Sequence, residues 1–470
     1  MNTKKTPIPR WLGKGLRNRK EPHAARRRHA ATGQSLPKIA KEFIVRTRRE
    51  GLHIASYASA LVKCPTRKPW PQIALEMLLI TRKWKVLPLN YLRQALYDTK
   101  TPYADQFLSF IPEPALFIRC MPVLSPGKFR IIVRNKFIFR ELLDYHGAAT
   151  SQLALWSYSG TLYGKDGVIR DDGSLSAALK GFVGGTLVLK CQLGARGENI
   201  HFLSVAESGS GPRLIDPDGK VYDYQRLHAW SLPDNDLLLE EKVVQHKRIS
   251  EIYPDSVNTV RIVTLNFPDG RTEFLCALMR IGRNGSRVDN ASAGGIHVHI
   301  DVARGELTEL AYCKTENSVF PAHPDTGFVF RGTKLPFWSE ILSTLDRLAK
   351  AIMQVHTVAW DVAITETGPL IIEGNPTWNP GTMERGSYPK GDLILAATEA
   401  WVASQGGAPS HPKPSGGPVR PEAAGARPCS DRRIPPRHLS RPTAQQHRQG
   451  GRENVRAGGD SDNSGTGLSA

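Results

Sequence analysis

Trp360-Asp361-Val362-Ala363-Ile364-Thr365-Glu366-Thr367-Gly368-Pro369-Leu370-Ile371-Ile372-Glu373-Gly374-Asn375-Pro376 decides the fold of this chain. Val358–Ile364 and Leu370–Gly374 are apolar runs that read as strands. Thr365–Gly368 reads as the turn between them. A hairpin centred on Thr367 sets Asp361 opposite Glu373, with Cα atoms about 4.5–5.5 Å apart. Asn375, two residues on, shares the face of Glu373. The same register pairs Val362 with Ile372 and Ile364 with Leu370 on the other face, so one face is core and the other is polar. A slip of one residue would scramble both. Three oxygen-bearing side chains on one face suit Mg²⁺, which takes few protein oxygens and completes its shell with water and phosphates. A surface hairpin with its polar face in water is the competing reading.

The chain has 470 residues, more than one ordinary domain, and 40% hydrophobic residues, enough for a substantial core. It has no run of 18 apolar residues, so no membrane span is expected. The basic N-terminus lacks the apolar stretch of a secretory signal. Six cysteines without CxxC spacing predict reduced thiols, not a disulfide frame or zinc site. These features together predict a cytoplasmic protein. The net charge of +19 sits mostly in the ends. Residues 1–38 carry +10, residues 404–470 carry +5, and the body only about +4. Arg26-Arg27-Arg28 suits contact with nucleic acid or anionic lipid, and a solvated arm is the favoured reading.

Residues 1–35 are polar, basic and without periodicity, and are predicted to be disordered. Residues 36–125 read as a helical N-terminal region. Ile39, Phe43, Ile54 and Leu61, then Ile73, Leu75, Met77 and Leu78, suggest helices broken at Pro65, Pro69 and Pro88. Asn135–Tyr145 reads as a helix with Phe137, Leu142 and Leu143 on its apolar side. Thr186–Lys190, Leu237–Val244, Thr259–Phe267 and Thr272–Ile281 read as strands. Pro336 opens an amphipathic helix with Ile341, Leu345, Leu348 and Ile352 on one face. Beyond Ser404 the sequence turns rich in Pro, Gly, Arg and Ser and contains no Phe, Trp or Tyr, so 404–470 is predicted to be a disordered tail.

Other polar groups stand at telling places. Lys190 ends a strand before Leu193-Gly194-Ala195-Arg196-Gly197, where a lysine and glycines can cover phosphates; a plain turn is the alternative. Lys136 opens the Asn135–Tyr145 helix, a weaker signal because a helix lysine is usually solvated. Glu240-Glu241-Lys242-Val243-Val244 turns an apolar strand abruptly charged, as in a hinge reading an adenine edge or a strand emerging at the surface. Arg261, inside Val260-Arg261-Ile262-Val263, needs an anionic partner. The loop Arg287–Gly295, preceded by Arg280, is built for an anion or a salt bridge. His297 and His299 share a strand face and read as ordinary strand histidines more readily than as metal ligands. No Gly-x-Ser-x-Gly, Walker lysine loop or Gly-x-Gly-x-x-Gly helix start is present, so hydrolase, P-loop and dinucleotide-binding readings lack support.

Taken in order, these pieces resemble the ATP-grasp superfamily. Ser256-Val257-Asn258-Thr259-Val260-Arg261, the Arg287–Gly295 loop, His323-Pro324-Asp325-Thr326-Gly327 and Trp360–Pro376 look more closely like its sugar-transfer-associated family, also called alpha-L-glutamate ligase-related. The resemblance is strong over about 240–380, fainter over 130–240, and covers neither end. It implies an α+β, ATP-grasp fold: two α+β subdomains clamping ATP within 126–403, the small one about 160–245 and the large one about 246–403. It implies that Lys136 and Lys190 contact phosphates or adenine, and that Glu241, Lys242 and Val244 frame the adenine. Asp361, Glu373 and Asn375 would hold one or two Mg²⁺, with Mn²⁺ as a substitute, and Arg261 and Arg287 would face the transferred phosphoryl group or a substrate carboxylate. An acidic ribose contact after the hinge is missing; Gln245 and His246 stand there. The implied activity is an ATP-dependent ligase that activates a carboxylate for attack by an amine, with saccharide-linked or peptide substrates. A phosphotransferase and a non-catalytic nucleotide- or nucleic-acid-binding protein are the alternatives.

Overall fold

Two antiparallel sheets organise the chain in a computed structural model that describes residues 57–406, except 102, 195–199, 232–235, 292–293, 314–317 and 380–388. The arm at 1–35 and the tail beyond 406 lie outside the described residues. The small sheet contains β1 (Leu153–Tyr158), β2 (Thr161–Gly164), β3 (Gly167–Ile169), β4 (Thr186–Cys191), β5 (His201–Ala206), β6 (Arg213–Ile215), β7 (Val221–Tyr222) and β8 (Leu237–Glu241). Its order is β3-β2-β1-β8-β4-β5-β6-β7. The large sheet contains β9 (Thr259–Asn266), β10 (Thr272–Ile281), β11 (Ile296–Asp301), β12 (Glu306–Cys313), β13 (Ser318–Phe320), β14 (Thr357–Thr365) and β15 (Gly368–Asn375), in the order β13-β12-β11-β10-β9-β14-β15. This is an α+β architecture. The small sheet begins at Leu153, ahead of the boundary near 160 expected from sequence. Strand β8 stops at Glu241 and not at Val244, because the chain leaves the ladder after Lys242 N–H donates to Thr186 O.

Each sheet buries an apolar face for a reason visible in its alternation. In the small sheet Leu155, Leu187, Leu189, Leu203 and Leu239 pack with Leu175 and Leu179 of a short helix, Asp172–Leu179. The large sheet is covered on both faces. On one, Val260, Ile262, Met279, Val298, Val358, Trp360 and Val362 meet Ile341, Leu345 and Leu348 of helix Trp338–Ala351. That helix carries its apolar residues at the spacing expected from sequence, and Ile352 is buried just beyond its end. On the other face Val263, Leu265, Leu278 and Ala359 meet the N-terminal helical region and Ile394 and Ala397 of the helix Gly391–Ser404. This second cover stops short of Asp361, and the uncovered stretch holds the polar residues.

The N-terminal region is helical from Trp70 to Trp84, with Pro69 just before its first turn. Ile73, Ile80 and Trp84 point inward, whereas Leu75 and Leu78, grouped with them in the sequence reading, are exposed. Ala104–Leu124 is the described stretch long and apolar enough to be weighed as a membrane span. It is interrupted at Phe110 and Pro112, both in extended backbone. Phe110, Ile111, Leu116, Met121 and Leu124 are buried in the core beneath the large sheet.

The β14–β15 hairpin pairs Asp361 with Glu373, as its sequence predicts, and Ala359 with Asn375. Past that point the register slips: Val362 pairs with Ile371 and Ala363 with Leu370. The turn is the two-residue Glu366-Thr367, closing at Gly368 with φ +127°, and Ile372 becomes a bulge. Ile371 therefore joins Val362 and Ile364 in the core, and the expected pairs Val362–Ile372 and Ile364–Leu370 do not form.

Candidate functional site

Strand alternation places Arg261 of β9, Arg280 of β10 and Asp361 of β14 on the same face of the large sheet. Asp361 pairs in register with Arg261 and is only 1% exposed. A buried carboxylate needs compensation, and Asp361 has it twice over. Arg261 Nε donates to Oδ1 at 2.6 Å and its Nη2 to Oδ2 at 2.5 Å. Arg280 Nη1 donates to Oδ2 at 2.9 Å. Arg280 is braced from behind: its Nη2 donates to Asp289 Oδ1 at 2.8 Å and to Asn290. Asp289, itself buried, accepts from Thr259 N–H at 3.1 Å. Gly295 makes this loop possible, since a Cβ there would lie 2.6 Å from Asp289 O. Burial pushes the Asp361 carboxyl up while Arg261 and Arg280 pull against it. Burial also disfavours the Arg261 charge, but Asp361 overcomes this and holds the guanidinium above its ordinary value.

Glu373 and Asn375 stand beside Asp361 on β15. Asn375 Nδ2 lies 3.3 Å from Glu373 Oε1 and 3.5 Å from Asp361 Oδ2, so two carboxylates from two strands converge on one donor. Lys136 Nζ is 3.3 Å from Glu373 Oε2 and donates to Gly194 O at 2.6 Å. Burial would raise the Glu373 carboxyl, but Lys136, a hydrogen bond with Asp361 and the charges of Arg261 and Arg280 together outweigh it and hold Glu373 at about 2. Lys136 gets there because Asn135 caps its helix (Lys136–Tyr145), accepting from Phe137 and Ile138 N–H. Gly374 lets that helix approach: a Cβ would meet Val133 Cγ1 at 2.6 Å and Phe139 Cζ at 2.8 Å. Lys136 thus has two partners, although its own helix offers none.

The small sheet contributes from across the loop after β4. Lys190 pairs with Glu240, which also has Arg140 at 3.7 Å. Asn135 Nδ2 donates to Gln192 Oε1 at 3.1 Å, and Lys136 N–H to Gln192 O at 3.0 Å, tying the start of the glycine loop to the helix of Lys136. Ala195, Arg196 and Gly197 of that loop lie outside the described residues. At the hinge, Glu241 N–H donates to Gln152 O and Lys242 N–H to Thr186 O. Glu241 and Lys242 are exposed, and Val244 is 76% exposed. Gln245 is buried, donating to Tyr253 O and accepting from Asn258 N–H, and His246 N–H donates to Ile364 O. These two residues fasten the hinge to the large sheet.

Arg287 stands apart from the Asp361 cluster. It is exposed, with its guanidinium 5.9 Å from the ring centre of Phe202 on β5. Arg280, which the sequence reading mentioned only as preceding the loop, is the arginine brought to Asp361. His297 and His299 are buried and pack against Tyr312. Among the described residues no group of three or more His, Cys, Asp or Glu is suited to a metal. The candidate set is mixed, two carboxylates and the amide of Asn375. None of the five described cysteines is in a disulfide.

The sugar-transfer associated ATP-grasp family matches residues 119–385, a span that contains Lys136, Lys190, the hinge and the whole Asp361 cluster. The chain belongs to that family. Several solved structures are similar to the chain at low identity. The D-alanine–D-alanine ligase of Bacillus anthracis is 14% identical, with 60% of this chain and 71% of that chain covered and a TM-score of 0.33. The ADP complex of N5-carboxyaminoimidazole ribonucleotide synthetase is 15% identical, covering 57% and 52%, with a TM-score of 0.32. The ATP-grasp ligase PsnB, complexed with a precursor variant, Mg and ADP, is 13% identical, covering 59% and 61%, with a TM-score of 0.33. This chain spans about half the length of the synthetase. At these values the likenesses carry no statement about substrate or partner. Comparison with curated proteins gives no match.

The donor set fits a hard divalent cation on one side. Glu373 is ionised, and its contacts to Lys136 and Asn375 are longer than the roughly 2.7–2.9 Å of a strong charge-assisted bond, so both can yield. Asp361 differs: both of its oxygens already accept from arginine.

Proposed function

We propose that this ATP-grasp protein binds Mg²⁺–ATP between its two sheets and activates a carboxylate as an acylphosphate for attack by an amine. One observation carries the reading. Asp361, Glu373 and Asn375 converge with Arg261, Arg280 and Lys136 on the stretch of the large sheet beyond its N-terminal helical cover, inside the span of the family match.

Glu373 and Asn375, with Asp361 beside them, would hold Mg²⁺, which when bound supplies charge neutralisation at the phosphate oxygens. Lys190, kept in place by Glu240, and Lys136, at the mouth of the glycine loop, would bind phosphate oxygens. The amides of Glu241 and Lys242 are committed to the sheet, so adenine contacts fall to the hinge carbonyls and to the backbone around Val244. A substrate carboxylate oxygen attacks the γ-phosphorus and ADP leaves. Arg261 and Arg280 face the oxygens that gain charge, where fixed donors lower the barrier most. The amine then adds to the acyl carbon and orthophosphate departs. The cluster needs no protein nucleophile; positioning and electrostatics do the work. The family's association with sugar transfer favours a saccharide-borne acid or amine, and the supply of ATP favours the cytoplasm.

The test is ADP release against a panel of amino acids, amino sugars and sugar acids, with hydroxylamine present to trap an acylphosphate. The expected result is ADP and orthophosphate with one substrate pair, and a hydroxamate when the amine is withheld. ADP with a stable phosphorylated product and no orthophosphate would replace the ligase with a phosphotransferase.

A further inference from the structure

We propose that the outer face of the helix Trp70–Trp84 docks on an anionic lipid bilayer, steered there by the basic N-terminal region to which it belongs.

The helix is apolar on two sides. Its inward stripe is Ile73, Ile80 and Trp84. Glu76, the one acid of the helix, lies on that side, buried and bonded by Lys68 Nζ at 2.9 Å and by Tyr91 Oη at 2.6 Å. The outward stripe is Pro71, Leu75, Leu78 and Arg82, at i, i+4, i+7 and i+11, and all four are exposed. Leu75 is 55% exposed and Leu78 63%. A helix that faces water on one side ordinarily carries its charges there, and one apolar on both sides is ordinarily buried on both. Exposed apolar residues also flank it in sequence. Trp70 opens the helix with the Arg67 guanidinium 4.4 Å from its ring centre, and Lys85, Leu87 and Leu89 follow its end, all exposed. An exposed tryptophan beside an arginine suits the boundary between headgroups and acyl chains.

Charge selects the occupant. Residues 1–125 hold 24 Lys and Arg against 7 Asp and Glu, so +17 of the chain's +19 lies in this region. Its described part, residues 57–125, holds 9 against 4. Residues 126–403, which carry the candidate site, hold 29 against 32 and are slightly acidic. A second copy of the chain would press like charge against like. Nucleic acid would answer the charge but offers no apolar layer for two leucines. A bilayer with anionic headgroups answers both. Its surface potential attracts Lys and Arg within about a Debye length, roughly 8 Å at physiological salt. Its acyl boundary takes up Leu75 and Leu78. The same surface repels the acidic body, which biases the basic helical region toward the membrane.

The experiment floats the full chain with vesicles of phosphatidylcholine alone or mixed with phosphatidylglycerol, at about 0.15 M and about 1 M salt. The expected result is binding to the anionic vesicles at low salt, weaker by about tenfold or more on neutral vesicles and at high salt. Leu75→Ser/Leu78→Ser, with an unchanged circular dichroism spectrum, should weaken that binding about tenfold or more. Arg82→Glu, a surface change on the same stripe, should weaken it by about tenfold. Absence of wild-type binding to the anionic vesicles overturns the proposal. Undiminished binding by either folded variant also overturns it, since the basic arm alone would then hold the protein. A wild-type dimer in sedimentation that Leu75→Ser/Leu78→Ser makes monomeric would give this face to a second copy instead.

Discussion

The two sheets prepare their charges in opposite ways. On the large sheet Asp361, Arg261, Arg280 and Asp289 are buried or half-buried and locked together before any ligand arrives. On the small sheet the hinge residues Glu241, Lys242 and Val244 are exposed, and the buried Glu240 pairs with the half-buried Lys190. One face has met its desolvation cost within the fold, and the other is left for a ligand to cover. The proposed function puts the difference to use: transition-state charge would be met where the dipoles are already fixed, and adenine where a hinge can adjust.

The contrast breaks first at Asp361. Asp361→Ala strands two guanidinium groups and should cost about 3–5 kcal/mol of stability, read by chemical denaturation. A loss near zero would mean that the large-sheet cluster is not built into the fold. On the small sheet, Lys190→Ala removes one charged contact to nucleotide. It should weaken ATP binding by about 1.5–3 kcal/mol, measured by calorimetry, with a smaller loss of stability than Asp361→Ala. Equal destabilisation by the two variants would erase the distinction between the sheets.

The smallest effect is in pH. The Glu373 carboxyl is lowered from its ordinary 4.5 to about 2. A depressed folded pKa stabilises the protein above the unfolded value, and that contribution is lost as pH falls from 4.5 toward about 2. The stability gap between wild type and Glu373→Gln should therefore stay constant above this window and shrink within it. A gap that widens on acidification contradicts the Lys136–Glu373 assignment.

Much of this site was legible in the sequence, and the failures have physical causes. The Asp361–Glu373 pairing followed from apolar alternation around a turn. The bulge at Ile372 did not, because a two-residue turn at Glu366-Thr367 and a slipped register leave the same apolar composition. Lys136 looked like a solvated helix lysine because its partners, Gly194 and Glu373, are far away in sequence. Arg280 was named only as preceding the loop, because which arginine reaches Asp361 depends on strand parity. Residue 280 shares a face with Arg261's neighbour Leu278, whereas residue 287 lies in the loop beyond β10. Glu240 was read only as the start of the charged hinge, although a carboxylate ending an apolar run is the signal that a cation stands beside it.

If the β14–β15 hairpin serves a nucleotide through a divalent cation, Glu373→Gln should nearly abolish Mg²⁺-dependent ADP formation while circular dichroism shows the fold retained. Turnover equal to wild type in that variant would mean that the hairpin holds no catalytic cation.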